Sequence, residues 1–189
     1  MNRLTYRKAT AADAAEIARL VNAAYRPQAG AEGWTHESRI VSGDRTSSRQ
    51  VEKLLGSSVV LVGLRDDRLV ACVQIDRTGA DATIGMLAIE PSIQAGGLGS
   101  AMLAEAESYA ASSLGAERFV LIVVGARTEL IQFYIRRGYE DSGQRLPYPI
   151  DSGVGTPRNG TLDLVVLQKR ANASRDSAAT SAAASEPAA

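Results

Sequence analysis

The sequence predicts a mixed α/β fold in which helices pack on one central sheet. Short apolar segments with the composition of strands alternate with longer segments whose apolar residues recur at helical spacing. The segment 119–124, FVLIVV, is apolar throughout, which is typical of a strand buried on both faces. A strand, a long helix and this strand follow one another in the chain, and that order predicts a crossover between parallel neighbours.

The N-terminal part of the chain predicts one strand and two helices. Residues 4–8 alternate in polarity, which favours a strand. Thr10 and Asp13 have the spacing of a capping box, and the apolar residues that follow recur on one helical face, so we expect a helix over 11–25. A second, short helix is expected over 49–55.

The central part of the chain predicts three strands and a long helix. Two apolar runs, 59–64 and 69–75, flank a polar turn and predict an antiparallel hairpin. A third run, 83–89, follows a turn around Gly79 and ends before a proline, which again favours a strand. Residues 98–114 carry apolar side chains at helical spacing and are followed by glycine, so we expect a helix there.

The C-terminal part predicts the remaining elements and a tail. These elements are a strand over 119–124, a helix over 128–137, and strands over 139–145 and 161–168. Residues 171–189 are rich in Ala and Ser and lack any large apolar side chain, so burial cannot offset the entropy lost on ordering. We therefore expect one folded domain, residues 1–170, and a disordered tail, residues 171–189.

The composition excludes several classes of function. The 189 residues contain 21 Lys and Arg and 21 Asp and Glu, and this zero net charge argues against nonspecific nucleic-acid binding. No apolar run is long enough for a membrane helix and no apolar signal segment opens the chain, so we expect a cytoplasmic protein without a membrane partner. Cys72 and His36 are single, which excludes an intrachain disulfide and a Cys/His zinc site, and we predict no metal.

A glycine-rich loop, QAGGLGS at residues 94–100, lies between a predicted strand and a predicted helix. Glycines let the backbone turn sharply, and the free N–H groups of a first helical turn attract anions. The loop therefore predicts a site for a phosphate or a pyrophosphate, although a turn without a ligand is the alternative. It lacks the Lys and the Ser or Thr of a nucleoside-triphosphate loop, and several strands precede it, unlike the loop of a dinucleotide-binding domain.

This loop is followed, about 34 residues later, by a tyrosine and glycine motif. Together the two resemble the GNAT superfamily of acyl-CoA N-acyltransferases. In that family a strand leads into Q/R-x-x-G-x-G/A, matched by residues 94–99, and a later helix carries Y-x-x-x-G followed by an aromatic residue, matched by 134–139. The order of elements over residues 3–169 also fits. Segments 33–37 and 44–46 resemble a bacterial GNAT subgroup whose substrate is unassigned.

The resemblance implies the GNAT fold, an α/β (α+β) architecture with a mixed central sheet of about six to seven strands flanked by about four helices. It also implies acetyl-CoA as the acyl donor, with the pantetheine along the strand edge at 87–89 and the pyrophosphate on the loop amides. The loop contains no Arg or Lys, so we expect Arg127, Arg136 or Arg137 to assist. The cofactor-binding positions implied are Leu87, Ala88, Ile89, Gln94, Ala95, Gly96, Gly97, Leu98, Gly99, Ser100, Phe133 and Arg137.

The same resemblance implies that Tyr134 is the catalytic residue. Acyl transfer to an amine needs a neutral nucleophile, a stabilised oxyanion and a proton for the departing thiolate. A phenol is mostly protonated at neutral pH, so Tyr134 can donate a proton or a hydrogen bond to the sulfur. A backbone N–H near Ile89 would polarise the thioester carbonyl.

The general base is not identified by the sequence. Some family members carry a carboxylate on the strand before the tyrosine helix, but 119–124 contains no ionisable residue. The base is then water or one of several side chains, each of which can equally be solvated or structural: Glu32, His36, Glu37, Asp76 and Glu90. An α-amine costs only about 1 kcal/mol to deprotonate at pH 7, against about 4 to 5 kcal/mol for a lysine side chain, so it needs little help.

Two segments without periodicity, 28–47 and 147–160, are expected to wall the acceptor pocket. They supply the candidate substrate-binding residues Trp34, Glu37 and Tyr148. Trp34 and Tyr148 can instead be core or loop anchors. Arg45 can bind a substrate carboxylate, although an internal ion pair is the more common role of such a residue.

These observations predict an N-acetyltransferase that moves an acetyl group from acetyl-CoA to a primary amine of a small molecule or peptide by direct attack. The alternative function is a module that binds or senses acetyl-CoA and has lost catalysis. The resemblance is also compatible with a homodimer. The identity of the acceptor does not follow from the sequence.

Overall fold

The computed structural model describes residues 4–27, 36–94 and 96–171. It contains a seven-stranded sheet and a separate two-stranded ribbon. In chain order the strands are β1 (Thr5–Lys8), β2 (Val41–Ser42), β3 (Val59–Arg65), β4 (Arg68–Thr78), β5 (Asp81–Ile89), β6 (Arg118–Val124), β7 (Glu140–Pro147), β8 (Thr156–Pro157) and β9 (Asp163–Arg170). The helices are α1 (Ala14–Tyr25), α2 (Ser48–Leu55), α3 (Leu98–Leu114) and α4 (Thr128–Ile135), and single 3-10 turns cover Ala11–Asp13, Pro91–Ile93 and Ile150–Ser152.

The large sheet is mixed, as the sequence predicts. Its strand order is β1-β3-β4-β5-β6-β9-β7, and every neighbouring pair is antiparallel except β5 and β6. Helix α3 connects those two parallel strands, which confirms the predicted crossover. The α/β fold class, the sheet of six to seven strands and the four flanking helices are therefore confirmed.

The first helix begins where the capping pattern predicts. The Asp13 carboxylate accepts a hydrogen bond from the Thr10 backbone N–H at 2.7 Å and pairs with the Arg7 guanidinium at 2.8 Å. A single 3-10 turn over Ala11–Asp13 precedes α1, so the predicted helix over 11–25 begins with a tighter turn than expected.

Two apolar cores lie on opposite faces of the sheet. Helices α1 and α2 bury Ile17, Leu20 and Val51 against one face, and α3 and α4 bury Met102 and other apolar residues against the opposite face. The cysteine Cys72 belongs to the first core, where burial raises the pKa of its thiol to about 12.

Strands β5 and β6 pair over only three residues before they separate. The parallel register covers Asp81–Thr83 of β5, and both strands then line a cavity. Beyond that point β5 carries an extra residue, because three steps from Gly85 to Ala88 oppose two steps on β4. Met86 lies in this bulge with φ of +48°, a conformation uncommon for a side chain of its size. A bulge bends the strand that contains it, so β5 turns away from β6.

The two predicted irregular segments contain one short ribbon that the sequence does not predict. Strand β2 pairs with β8, through Val41 with Pro157 and Ser42 with Thr156. The expectation of no regular structure over 28–47 and 147–160 is therefore wrong at this point. Two-residue strands show no periodicity in sequence, and their partners are more than one hundred residues apart.

The last described residue is tied to the sheet region, since the Ala171 N–H donates to the Glu117 carbonyl at 2.8 Å. Residues 172–189 lie outside the described residues, so the predicted tail at 171–189 and the domain boundary stay predictions. Among the described helices, none has both the length and the apolar character that crossing a membrane requires.

The turn between β3 and β4 gives a test of the hairpin. Asp66 and Asp67 both have positive φ, of +50° and +58°, as a two-residue type I′ turn requires. Glycine adopts this conformation more readily than any L residue, so Asp67→Gly should raise the free energy of unfolding by about 0.5 to 1 kcal/mol in urea denaturation. Asp67→Ala, the control, should lower it, and the opposite order of the two variants would refute the turn assignment.

Candidate functional site

Two adjoining cavities occupy the gap that opens between β5 and β6. The first, here called the loop cavity, lies between the glycine-rich loop, the end of β5 and α4, from Ile89 to Arg137. The second, called the strand cavity, lies between β5, β6 and the segments before α2 and after β7. Four residues line both cavities, and they mark the junction: Tyr25, Leu87, Leu130 and Tyr134.

The glycine-rich loop forms the entrance to α3 in a conformation that needs glycine. Gly96 and Gly97 have φ of +116° and +79°, and Gly97 is the N-cap of the helix. A Cβ on Gly99 would lie 3.7 Å from the Phe133 ring and 3.9 Å from Ile89, on the side of the loop cavity. The first-turn N–H groups and the open cavity together have the geometry of an anion site.

The Arg137 guanidinium adds a positive charge beside this loop. It donates hydrogen bonds to the Ser100 hydroxyl and to the Phe133 carbonyl, the latter at 2.6 Å, and lies 3.4 Å from the centre of the Phe133 ring. It has no ion pair within the described residues. Burial lowers the pKa of Arg137, which indicates a guanidinium partly removed from water. An anion in the loop cavity would compensate this cost.

The end of β5 presents backbone groups to the gap. The Glu90 N–H donates to the Val70 carbonyl on β4, and backbone groups alternate in direction along a strand. Ile89 and Leu87 therefore direct their N–H and carbonyl groups away from β4. Their carbonyls accept from side chains instead: Leu87 from the Tyr25 hydroxyl at 3.1 Å, and Ile89 from the Gln94 amide at 3.2 Å. The two N–H groups face the space that β6 has left.

Tyr134 lies at the junction of the two cavities. It is 5% exposed and packs edge-on against Phe133 and Tyr139, with ring centres 5.2 Å and 5.9 Å away. Its hydroxyl makes no hydrogen bond to any residue of the described chain. Burial, followed by the nearby Tyr25, raises the pKa of the Tyr134 phenol well above its ordinary value. The phenol is therefore a neutral donor with an open hydrogen-bond position.

A buried ion cluster closes the strand cavity. Glu37 is 7% exposed and pairs with Arg26 at 2.7 Å and with Arg127 at 3.5 Å. Arg127 also pairs with Glu129 in the first turn of α4. The cluster joins the end of α1, the segment before β2 and the start of α4. Both carboxylate oxygens of Glu37 therefore lie beside guanidinium groups.

Tyr148 and Arg45 also line the strand cavity. The Tyr148 hydroxyl donates to the Val154 carbonyl at 2.9 Å, so the residue is both a cavity wall and a loop anchor. Arg45 has no ion pair within the described residues, and the expectation of an internal pair is wrong. Glu37, which lines the same cavity, is instead shared by Arg26 and Arg127.

Most predicted site residues lie at these cavities. The loop cavity is lined by the predicted residues Leu87, Ile89, Gln94, Gly97, Gly99, Ser100, Phe133, Tyr134 and Arg137. Ala88 and Leu98 are buried in the two cores and do not line it. Trp34, Ala95 and Glu32 lie outside the described residues.

Of the remaining predicted candidates, Asp76 lines the strand cavity and Glu90 pairs with Arg19 at 3.5 Å. His36 interacts with the Ser38 hydroxyl at 3.0 Å and lines neither cavity. Arg136 is exposed, and Arg127 belongs to the ion cluster, so Arg137 is the one of the three arginines that the structure places at the loop.

Sequence reasoning missed Tyr25, which lines both cavities. Burial raises the pKa of its phenol to about 12, so the phenol stays protonated over the physiological range. Its hydroxyl donates a hydrogen bond to the Leu87 carbonyl. Its position as the last residue of α1 before an irregular segment is the one sequence signal that could have indicated a site residue.

The sequence model described as Acetyltransferase (GNAT) family matches residues 16–139, which include the glycine-rich loop and Tyr134. The chain belongs to this family. It is an acetyl-CoA-dependent N-acetyltransferase. The match covers the elements from α1 to the end of α4, so the GNAT resemblance of the two motifs is confirmed.

Solved structures share the GNAT fold at low sequence identity. A GNAT acetyltransferase from Streptococcus pneumoniae is 18% identical with a TM-score of 0.64, and covers 90% of this chain and 100% of its own. A ribosomal-protein-alanine N-acetyltransferase from Brucella melitensis is 19% identical with a TM-score of 0.66, and the match covers 88% of this chain and 99% of that protein. A GNAT acetyltransferase from Elizabethkingia anophelis, solved with acetyl-CoA bound, is 13% identical with a TM-score of 0.61. This match covers 90% of this chain and 99% of that protein.

The comparison with curated proteins gives no match. Within the described residues no group of three or more His, Cys, Asp or Glu side chains is arranged to hold a metal ion.

The ion cluster predicts a large loss of stability when its carboxylate is neutralised. Glu37→Gln keeps the shape of the side chain but leaves the buried Arg26 guanidinium without a counter-charge and leaves Arg127 with Glu129 alone. We expect the free energy of unfolding to fall by about 3 kcal/mol in urea denaturation.

The control for this prediction is Asp141→Asn, which breaks a solvent-exposed pair with Arg145 on β7. Exposed pairs contribute little, so this variant should unfold almost as the wild type does. Equal effects of the two substitutions would contradict the assignment of Glu37 to a buried structural cluster.

Proposed function

We propose that this enzyme acetylates a primary amine of a small molecule or peptide by direct attack on the thioester of acetyl-CoA. The observation that carries the proposal is the position of Tyr134, whose unpaired hydroxyl lies where the loop cavity and the strand cavity meet. One cavity has an anion site at its far end and the other has mixed polarity. This arrangement suits a donor and an acceptor that meet at one phenol.

The residues that line the loop cavity suit the binding of the acyl donor, acetyl-CoA. The N–H groups of the loop after Gln94 and the Arg137 guanidinium would hold the diphosphate, and Gly99 leaves room beside Phe133. The Leu87 N–H, which faces the gap, would hold the pantetheine arm along the edge of β5. Acetyl-CoA supplies an activated acyl group on sulfur when it is bound.

Two residues of the chain act on the reacting atoms in this proposal. The Ile89 N–H donates toward the position of the thioester carbonyl oxygen, where negative charge develops. The Tyr134 phenol delivers its proton to the sulfur as the carbon–sulfur bond breaks, and regains a proton from the nitrogen that forms the amide. Its raised pKa keeps the phenol in the required protonated form.

Two carboxylates line the strand cavity among the described residues, those of Glu37 and Asp76. Glu37 is held by two arginines, and β6 presents only apolar side chains beside Tyr134. The Asp76 carboxylate already accepts a hydrogen bond from the Gln74 amide, so we propose that the acceptor amine loses its first proton to water. That step costs about 1 kcal/mol at pH 7 for an α-amine and about 4 to 5 kcal/mol for a lysine side chain, which favours acceptors of low pKa.

Tyr134→Phe should lower kcat at least tenfold while leaving the affinity for acetyl-CoA within about twofold of the wild type. The substitution removes only the hydroxyl, so packing in the core is kept. Released thiol measures turnover, and calorimetry measures acetyl-CoA binding. Tyr139→Phe is the matched control, since Tyr139 is buried nearby, donates to Glu107 and lines neither cavity.

The pH profile sharpens this test. Because the pKa of Tyr134 is raised, its deprotonation should cause no loss of activity below about pH 10, and the wild type and Tyr134→Phe should share one profile shape. An alkaline loss of rate near pH 8 that disappears in Tyr134→Phe would contradict the assigned role. Binding of acetyl-CoA without acetylation of any amine would instead support the sensing module.

Arg137→Met should weaken acetyl-CoA binding about 10- to 100-fold, because a charge-assisted contact to the diphosphate is lost. The neighbouring Arg136 is exposed, so Arg136→Met is the control and should change the dissociation constant by less than about threefold. Calorimetry at two salt concentrations measures both effects. Equal losses in the two variants would remove Arg137 from the proposed site.

A further inference from the structure

Arg45 is held in place at the strand cavity by its backbone. Its N–H donates to the Asn22 side-chain oxygen at 2.8 Å, and the Asn22 amide donates to the Thr46 carbonyl at 2.8 Å. These bonds fasten the segment before α2 to the middle of α1. The Arg45 guanidinium then lies 5.6 Å from the centre of the Tyr25 ring and lines the cavity.

The charge of this guanidinium has no protein counter-ion within the described residues. The other two arginines of the region, Arg26 and Arg127, share Glu37. Arg45 is half-buried and makes only the contact with the Tyr25 ring through its side chain. A guanidinium that lines a cavity, is partly removed from water and has no ion pair can bind a carboxylate through two parallel hydrogen bonds.

This cation is close to the proposed reaction centre. The ring of Tyr25 separates it from the Leu87 carbonyl, to which the Tyr25 hydroxyl donates at 3.1 Å. An anionic group on Arg45 would therefore lie one aromatic ring away from the backbone that holds the acyl group. In an α-amino acid the amine and the carboxylate are attached to one carbon, so a carboxylate on Arg45 keeps the amine within the same cavity.

We propose that the acceptor is a free α-amino acid whose carboxylate pairs with Arg45 while its amine faces the thioester. This inference rests on the proposed function and narrows its substrate class. The amino acid side chain would extend along the separated strands, where Ile122 is 44% exposed and Leu164 completes an apolar floor.

The charges of the strand cavity favour a carboxylate over a phosphate. Arg45 is the one cation without an ion pair among its described lining residues, and the Asp76 carboxylate, which accepts from Gln74, lies in the same cavity. Either anion would face the same two groups, but one of the two charges of a phosphate dianion would have no counter-ion in a cavity that also contains Asp76. A carboxylate carries a single charge, which one guanidinium balances.

The test compares free L-amino acids with their amides, which keep the amine and side chain but lack the negative charge. Initial rates of thiol release give kcat and KM for the wild type, Arg45→Met and Arg45→Lys, with 2-aminoethyl phosphate as the phosphate probe. Arg39→Met is the matched control, because Arg39 is exposed on the same segment and lines neither cavity. Calorimetry with acetyl-CoA is run on every variant.

The best free amino acid should exceed its amide in kcat/KM by about 10- to 100-fold. Arg45→Met should remove this preference by raising KM for the acid, with less than about threefold change for the amide or for acetyl-CoA binding. Arg45→Lys should keep part of the preference, and Arg39→Met all of it.

The inference is overturned if amides are acetylated as well as acids, if Arg45→Met weakens both equally, or if 2-aminoethyl phosphate is preferred. Acetylation of simple amines but of no amino acid would also overturn it while leaving the proposed function intact. If the wild-type protein does not bind acetyl-CoA in calorimetry, the proposed function itself is refuted.

Discussion

The separation of β5 from β6 after Thr83 is the constraint on which the site depends. Two parallel strands that continued to pair would bury the backbone groups of Leu87 and Ile89 in the ladder and leave no gap. The extra residue at Met86 bends β5, and α3 and α4 then fill one side of the opening with the glycine-rich loop and Tyr134. A local irregularity in one strand thereby produces both a backbone binding edge and a cavity.

The second constraint is electrostatic. Glu37 neutralises two arginines at the end of the strand cavity, so this part of the site is fixed by buried charge rather than by regular structure. The arrangement has a chemical consequence. The Glu37 carboxylate is engaged by Arg26 and Arg127, and Arg45 has no ion pair within the described residues. The buried pairing fixes this end of the strand cavity, and in our proposal the acceptor carboxylate is left to Arg45.

Features encoded locally could be predicted from the sequence. The capping box at Thr10 and the glycine-rich loop depend on neighbours within a few residues, and both are visible as patterns. Features that depend on distant residues could not. Three such features join segments far apart in the chain: the β2–β8 ribbon, the pairing of Glu37 with two arginines and the contact of Tyr25 with Leu87. No periodicity in the sequence indicates them. The glycine motifs indicated the residues on the donor side of the site. The residues on the acceptor side could be identified only from the three-dimensional structure.

The central claim is that one phenol stands between a donor in the loop cavity and an acceptor in the strand cavity. A crystal structure of the protein with coenzyme A tests it most directly. The account predicts the diphosphate on the amides that follow Gln94, the pantetheine beside Leu87 and Ile89, and the sulfur within hydrogen-bonding distance of the Tyr134 hydroxyl. A coenzyme bound outside the gap between β5 and β6, or a sulfur remote from that hydroxyl, would contradict it.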